Sequence, residues 1–403
     1  MPCAHLSIAA VSALIAFGCT HAAPDGSVPV LDGDPSCPAS PATGSATREW
    51  HAPERLDLLI GGYGTAAYAP DGTLFVTWSA VGTPDALRLR RRSAPDQPWS
   101  AESTLSTNGR TAHLLFASSG KVYAAVENSG TALVYVSEDR GANWSWVVSY
   151  SAKDFKADPV FDHAFLVEDG DALQLFFGYQ NFNAVVGNSS LRLFQVTSDR
   201  SSWPVNPVPQ WPATKLRYGV QGAFSDGTGR LLVAATQLGR SDDHGATLTP
   251  LHLADDATAL TNLAAASRHP TNGSVFLAEL KEDSPTSQRL VVWRTDDLGA
   301  NLIRLVTTPS LGELTHAAVA ASKEVVVAAA TVSKGQGASA VIVTTSTDRG
   351  CTWSTPTELV DVSGEQGTLN ATSLAGSPDG RIALVYSVQH KATRDGVFLR
   401  EWY

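Results

Sequence analysis

The octet "STDRGCTW" at 346–353 is respelled as "SEDRGANW" from Ser137 to Trp144, "SDDHGATL" from Ser241 to Leu248 and "TDDLGANL" from Thr295 to Leu302. Weaker copies end at Trp99 and Trp203, and "REWH" at 48–51 is echoed by the terminal "REWY". The closing residues Trp50, Trp99, Trp144, Trp203, Leu248, Leu302, Trp353 and Trp402 recur about every 50 residues, a period that belongs to a repeat architecture rather than to one layered core.

The spelling has a local cause. An Asp carboxylate can accept hydrogen bonds from backbone N–H groups just ahead of it and so close a turn. The Gly two positions later can take the positive φ of a tight turn, and the final Trp or Leu returns the chain to an apolar layer. Each copy stands between strand-like runs such as "TALVYV" and "AVIVTT", so it joins two strands of a hairpin. Ser137, Asp139, Gly141, Trp144, Asp243, Gly245, Asp297, Gly299, Ser346, Asp348, Gly350 and Trp353 are thereby read as folding residues, not as an active site.

The spacing predicts an all-β, seven-bladed β-propeller of four-stranded blades. Six blades is the alternative if the short segment 217–255 makes no blade of its own. "GVFLREWY" is a third strand with no fourth after it, and "TREWHAPERL" near residue 50 is a fourth strand with no three before it. Pairing the N- and C-terminal strands closes the ring and removes two edges.

The N-terminus divides into two further parts. Residues 1–19 carry an apolar stretch, Leu6 to Gly18, too short to span a bilayer but suited to a signal peptide. Its end, Ala16-Phe17-Gly18-Cys19, resembles a bacterial lipobox, which implies a lipidated Cys19; cleavage after Ala22 is the competing reading. Residues 20–45, rich in Pro, Ala, Gly and Ser, are expected to be a flexible tether before a propeller at 46–403. The expected location is the bacterial cell envelope, as an outer-membrane lipoprotein, with a periplasmic or secreted form as the alternative. Cys3 leaves with the signal, so Cys37 and Cys351 remain as a pair for an oxidising compartment and a predicted disulfide.

A net charge of −10 argues against nucleic acid and against an anionic membrane surface as partners, leaving a lipid anchor as the membrane attachment. The "RLRRR" run at 88–92 reads as one face of an exposed strand. No Cys or His cluster has zinc spacing, so no metal and no cofactor are expected, and the chain is expected to be a monomer.

The octets resemble the Asp-box, or BNR, repeats of sialidases and other propellers, over roughly 46–403. "YGVQGAFSDGTGRLLVAAT" (218–236) and "NATSLAGSPDGRIALVY" (370–386) are similar to sialidase segments. In the second, the family's nucleophilic Tyr falls on Ala371 and its strand-closing Glu on Ser387. Alanine has no oxygen with which to attack an anomeric carbon. The family's Arg-Ile-Pro, which supplies one arm of a carboxylate-binding Arg triad, is also missing.

Contact residues are therefore sought where the inner strands begin, ringing one mouth of the channel. Aligning blades on their turn glycines places His113, His163 and His316 at one level. Tyr63, Tyr218, Gln221, Asn262, Asn370 and Asp162 lie nearby. Three readings stand: these groups satisfy inner-strand backbone or bound water, they hold a small polar ligand or glycan, or the three histidines hold a metal, which would need tight convergence from blades that are not all neighbours. Asp158 and Asp162, in "KDFKADPVFDHAF", are carboxylates that could act as acid and base, or could simply mark a turn-rich loop. The function expected is binding of a glycan, peptide or envelope protein without catalysis. The alternatives are a glycoside hydrolase, sialidase-like or carboxylate-based, and a structural envelope component.

Overall fold

The computed structural model describes residues 27–34, 37, 49–57, 61–80, 86–128, 130–151, 160–183, 188–199, 202–203, 208–209, 214–215, 220–235, 238–253, 263–284, 286–335, 337–362, 367–390 and 396–403. Among them every regular element is a strand, and the strands form seven blades in a ring. Blades 1 to 6 span 61–106, 111–151, 160–215, 222–253, 263–307 and 313–361. Blade 7 takes its inner three strands from 367–402 and its outermost strand from Glu54–Asp57.

Closure follows the expected route. Glu54 pairs with Leu399 and Arg55 with Phe398, and Trp50 bridges Trp402. The short segment that left six blades open does make a blade of its own, blade 4, from strands of only four residues and two-residue outer pieces.

The core is not one mass but seven seams between neighbouring blades. Each recurrent Trp or Leu enters the seam with the preceding blade. Trp99 packs with blade 7 residues Val385 and Leu399, and Trp144 with blade 1 residues Phe75 and Leu89. Trp203, Leu248, Leu302 and Trp353 do the same one blade further on each time, and Trp402 packs against blade 6. The 50-residue period is thus the period of inter-blade packing.

The turns show why the octet is spelled as it is. In the box at 346–353 the Ser346 hydroxyl donates to Asp348 Oδ1 (2.7 Å) and accepts the Gly350 N–H (2.7 Å). Asp348 also accepts the Thr352 N–H (2.8 Å) and hydroxyl (2.6 Å). The same relay recurs at Ser137–Asp139–Gly141–Asn143, Ser241–Asp243–Gly245–Thr247 and Thr295–Asp297–Gly299–Asn301. Glycine is not alone in the left-handed region. The residue before it, Arg140, His244, Leu298 or Arg349, also has φ between 52 and 63°, a strain the hydrogen-bond relay offsets.

Two expectations change. Within the stretch read as a flexible tether, Ser27–Val28 adds a parallel strand to the outer edge of blade 4, and Val30–Asp32 adds one to blade 5. The alternating "SVPVLD" explains it. Val28 is 3% exposed in the blade 4–5 seam, while Pro29, which has no N–H to leave unpaired, sits at the crossing and accepts the Leu302 N–H (3.1 Å). Asp34 then pairs with buried Arg294 (2.6 Å), and Cys37 is disulfide-bonded to Cys351 in the blade 6 box, with Cα atoms 5.5 Å apart. The segment is a strap across three blades.

The "RLRRR" strand is a solvent face only in part: Arg88 and Arg90 lie half-buried on one face beside Glu102. Leu87 and Leu89 are buried and Arg92 reaches into the blade 7–1 seam. There its guanidinium pairs with Glu401 and with Glu54 (2.8 Å) and lies 4.5 Å over the Trp99 ring. Glu401 also accepts the Tyr68 hydroxyl (2.9 Å), and Trp99 Nε1 donates to Glu54 (2.6 Å). Burial, then the Glu401 charge, push the Tyr68 phenol well above its ordinary range. Both strands that meet at the closure, Glu54–Asp57 and Gly396–Trp402, are tied to blade 1 by this arginine, with Trp99 and Tyr68 adding one hydrogen bond to each.

Candidate functional site

The hairpin turns that follow the inner strands and the box turns share one end of the ring. Arg349 of a box pairs with Glu324 of an inner turn, and His244 Nδ1 lies 2.8 Å from the buried carboxylate of Asp169. The inner strands therefore begin at the opposite end. That is the mouth where contact residues were sought.

At this mouth the inner strands of blades 1, 3, 5, 6 and 7 lose their regular register. Pairing shifts between Gly61 and Gly64, between Asp162 and Ala164, between Leu263 and Ala265, between Leu314 and His316, and between Leu369 and Ala371. A bulge re-aims the extra residue and is a common device at rims and binding sites. The residues set free of regular pairing include Tyr63, His163 and Asn370, three of the sequence candidates, and His316 directly follows a fourth shift. Tyr63 is 43% exposed, and its N–H donates to Ser79 Oγ (3.2 Å). His316 is half-buried with Nδ1 3.2 Å from the Thr315 hydroxyl. Gln221 is half-buried, its N–H bonded to the Ala234 carbonyl (2.7 Å). Asp162 lies opposite Gly178 on the strand Val160–Asp169. Asp158, Tyr218, Asn262 and Cys19 lie outside the described residues.

The three histidines do not share one level. His113 pairs with Ala125 inside a regular ladder, deeper than the shifts that carry His163 and precede His316. The turn glycines misaligned them because the hairpin turns differ in length: Phe116 pairs with Val122 in blade 2, but Asp169 with Ala172 in blade 3. His113 Nδ1 accepts the Leu166 N–H of blade 3 (3.3 Å), and its ring packs on Phe165 with centroids 4.6 Å apart. Burial holds its pKa down at about 4, so near neutral pH the ring is uncharged. With Nδ1 as acceptor, Nε2 carries the hydrogen. His113 is a tie between the inner strands of blades 2 and 3. Among the described residues, the one group of three His, Cys, Asp or Glu ligand atoms within metal reach is Asp34, Cys37 and Cys351, whose sulfurs are joined to each other.

Sequence reasoning missed a buried polar layer on the second strands. Ser79, Glu127, Thr331 and Ser387 each stand five places after a buried apolar residue, Leu74, Val122, Val326 and Ile382, and all are buried. Ser79 receives the bulged Tyr63 N–H, and Glu127 accepts the Thr111 hydroxyl (3.1 Å). On blade 5 the buried Glu279 accepts Trp293 Nε1 (3.0 Å). The signal was present in "VYAAVEN" and "VFLAEL", each a run of apolar residues interrupted by one acid, Glu127 or Glu279. Ala371 lies directly opposite Ser387 across the blade 7 hairpin.

By sequence, the chain matches no family profile and no curated protein. Solved structures of similar shape include a protein of unknown function from Dyadobacter fermentans, 14% identical, TM-score 0.44, aligned over 86% of this chain and 96% of its own. The α-L-arabinofuranosidase of Fusarium graminearum in complex with arabinobiose is 13% identical, TM-score 0.48, over 87% of this chain and 97% of its own. The leech intramolecular trans-sialidase is 13% identical, TM-score 0.45, over 87% of this chain and 70% of its own. Likenesses this distant concern shape and carry no activity across. The chain is a seven-bladed β-propeller.

Proposed function

We propose that this protein is an exported, lipid-anchored propeller that binds a glycan at the bulged mouth and does not cleave it by a sialidase route. One observation carries the reading. Ala371 and Ser387, where the sialidase resemblance would require a nucleophilic Tyr and its Glu, are direct cross-strand partners, so the reacting pair is replaced as a unit. What surrounds them suits recognition: an exposed Tyr ring, which can stack on a sugar face, and half-buried amide and imidazole groups that can bond hydroxyls. A peptide or envelope-protein partner and a purely structural role are the neighbouring possibilities.

A second reading has its own support. Glu127 and Glu279 are buried acids near the same mouth, and with Asp158 or Asp162 they could supply the paired carboxylates of another glycosidase. The mature chain from Cys19 onward, which retains the strap, decides between them on a glycan array and a panel of aryl glycosides that includes the sialic acid derivative. Binding without turnover, weakened by Tyr63→Ala, is expected. Turnover abolished by Glu279→Gln or Asp162→Asn would establish the hydrolase instead. Labelled palmitate should enter the wild-type chain and not Cys19→Ala; a mature terminus at Ala23 would remove the anchor from the proposal.

A further inference from the structure

The strap fixes where the N-terminal chain leaves the ring. Ser27 pairs with His252 on the outer edge of blade 4, and from there to Cys37 the chain is held by strand pairing, the Asp34–Arg294 ion pair and the disulfide to blade 6. Between Cys19 and the folded ring there remain only residues 20–26. The eight steps from Cys19 to Ser27 reach at most about 28 Å fully extended. The opposite rim lies two blade depths and a channel away, about 40 Å or more at ~4.8 Å between strands.

The rim beside this exit has two features that fit a lipid surface. Leu31, on the added strand of blade 5, is 43% exposed, on the face opposite Val30, which packs inward. The strap's acids are also matched: Asp32 bonds Arg304 (2.7 Å) and Asp34 pairs with Arg294 (2.6 Å). A protein of net charge −10 is repelled by an anionic leaflet, and pairing these acids removes that repulsion where the chain must approach.

We propose that the outer rim of blades 4 and 5, around Leu31, lies against the bilayer, so that the channel axis runs along the membrane and both mouths open sideways. This rests on the acylated Cys19 of the preceding section. The strap excludes the opposite rim, which a tether ending at residue 46 would not, and exposed Leu31 favours the near rim over the two faces beside it. A ligand would then reach the bulged mouth by moving along the membrane surface.

The test places the photoreactive residue benzoylphenylalanine at position 31, 63 or 146 in the full acylated chain. The protein is bound to vesicles of phosphatidylethanolamine and phosphatidylglycerol carrying a radiolabelled phospholipid. Tyr63 reports the mouth, and Trp146, 60% exposed on the outer strand of blade 2, reports the rim two blades from blade 4. Crosslinked phospholipid at position 31, severalfold above positions 63 and 146, is the expected result. Equal labelling, or strongest labelling at position 63, would overturn the orientation while flotation with the vesicles keeps the anchor. Chain that does not float removes the anchor, and the orientation with it.

Discussion

Replacing Arg92 with Met tests how the ring is held shut. The guanidinium is 8% exposed and pairs with a Glu401 side chain that is 3% exposed and with a Glu54 side chain that is 41% exposed. Removing it leaves the Glu401 carboxylate in the seam with Tyr68 as its remaining hydrogen-bond donor among the partners described above. Breaking one partner out of a buried ion pair costs about 3–5 kcal/mol, because the survivor keeps its desolvation penalty. The exposed contact with Glu54 adds about 1 kcal/mol or less, and the stacking on Trp99 adds about 1 kcal/mol. These terms share one side chain and do not sum, so the expected loss is about 4 kcal/mol, a large part of an ordinary domain's stability. Urea denaturation followed by Trp fluorescence measures it, and hydrogen exchange locates it. Amides of Glu54–Asp57 and Gly396–Trp402 should exchange faster, while those of blades 3 and 4 should not. Arg92→Met with Glu401→Gln should recover much of the loss, because no charge is then stranded. A single variant within about 1 kcal/mol of wild type, or faster exchange spread evenly over all blades, would refute the assignment of closure to this arginine.

Three further outcomes are expected. Asp348→Ala should cost about 1–2 kcal/mol, the size of a lost capping network, and leave ligand binding intact in the folded fraction; lost binding at unchanged stability would contradict the folding role. Burial raises the Asp348 carboxyl, but bonds from Thr352 and Ser346 outweigh it and hold it below the usual range, so its contribution should disappear as pH falls through that lowered value. His113, held at about 4, is protonated in the unfolded chain first, so stability should fall as pH drops from about 6.5 to 4, by about 3 kcal/mol at most; His113→Gln should flatten that profile, and an unchanged profile would place the titration elsewhere. Reducing Cys37–Cys351, which closes 314 residues of sequence, should cost on the order of 3–5 kcal/mol and expose residues 27–37 to protease.

The ring was legible because its rule is local. Ser346, Asp348, Gly350 and Thr352 complete their hydrogen bonds within one turn, and Trp353 then reports the seam, so spelling and spacing together dictate blades. The strap was not legible by the same means. Its six residues, "SVPVLD", belong to no repeat, and their partners lie more than 200 residues away in blades 4 and 5. Composition there favoured a tether, and the outer edges of two blades overrode it. The burial of Arg92 was hidden for the same reason: an alternating Leu-Arg strand looks solvent-facing until Glu401, some 300 residues on, is brought against it.

The two ends of the ring answer to different constraints, and this is why the repeats say much about fold and little about chemistry. At the box end each blade needs the same turn, so serine, aspartate and glycine recur and Arg349 meets Glu324 as a matter of packing. At the mouth the inner strands need only begin, and register shifts in several blades leave a different residue out of the regular ladder in each: Tyr63 in blade 1, His163 in blade 3, Asn370 in blade 7. Repetition does not mark such positions, because the residue at the shift differs from blade to blade. Turn glycines mark them only to within a residue or two, as the unequal hairpins of blades 2 and 3 show at His113. What reveals them is register together with the buried polar residues behind it, and the pairing of Ala371 with Ser387 comes from that register rather than from any repeated word in the chain.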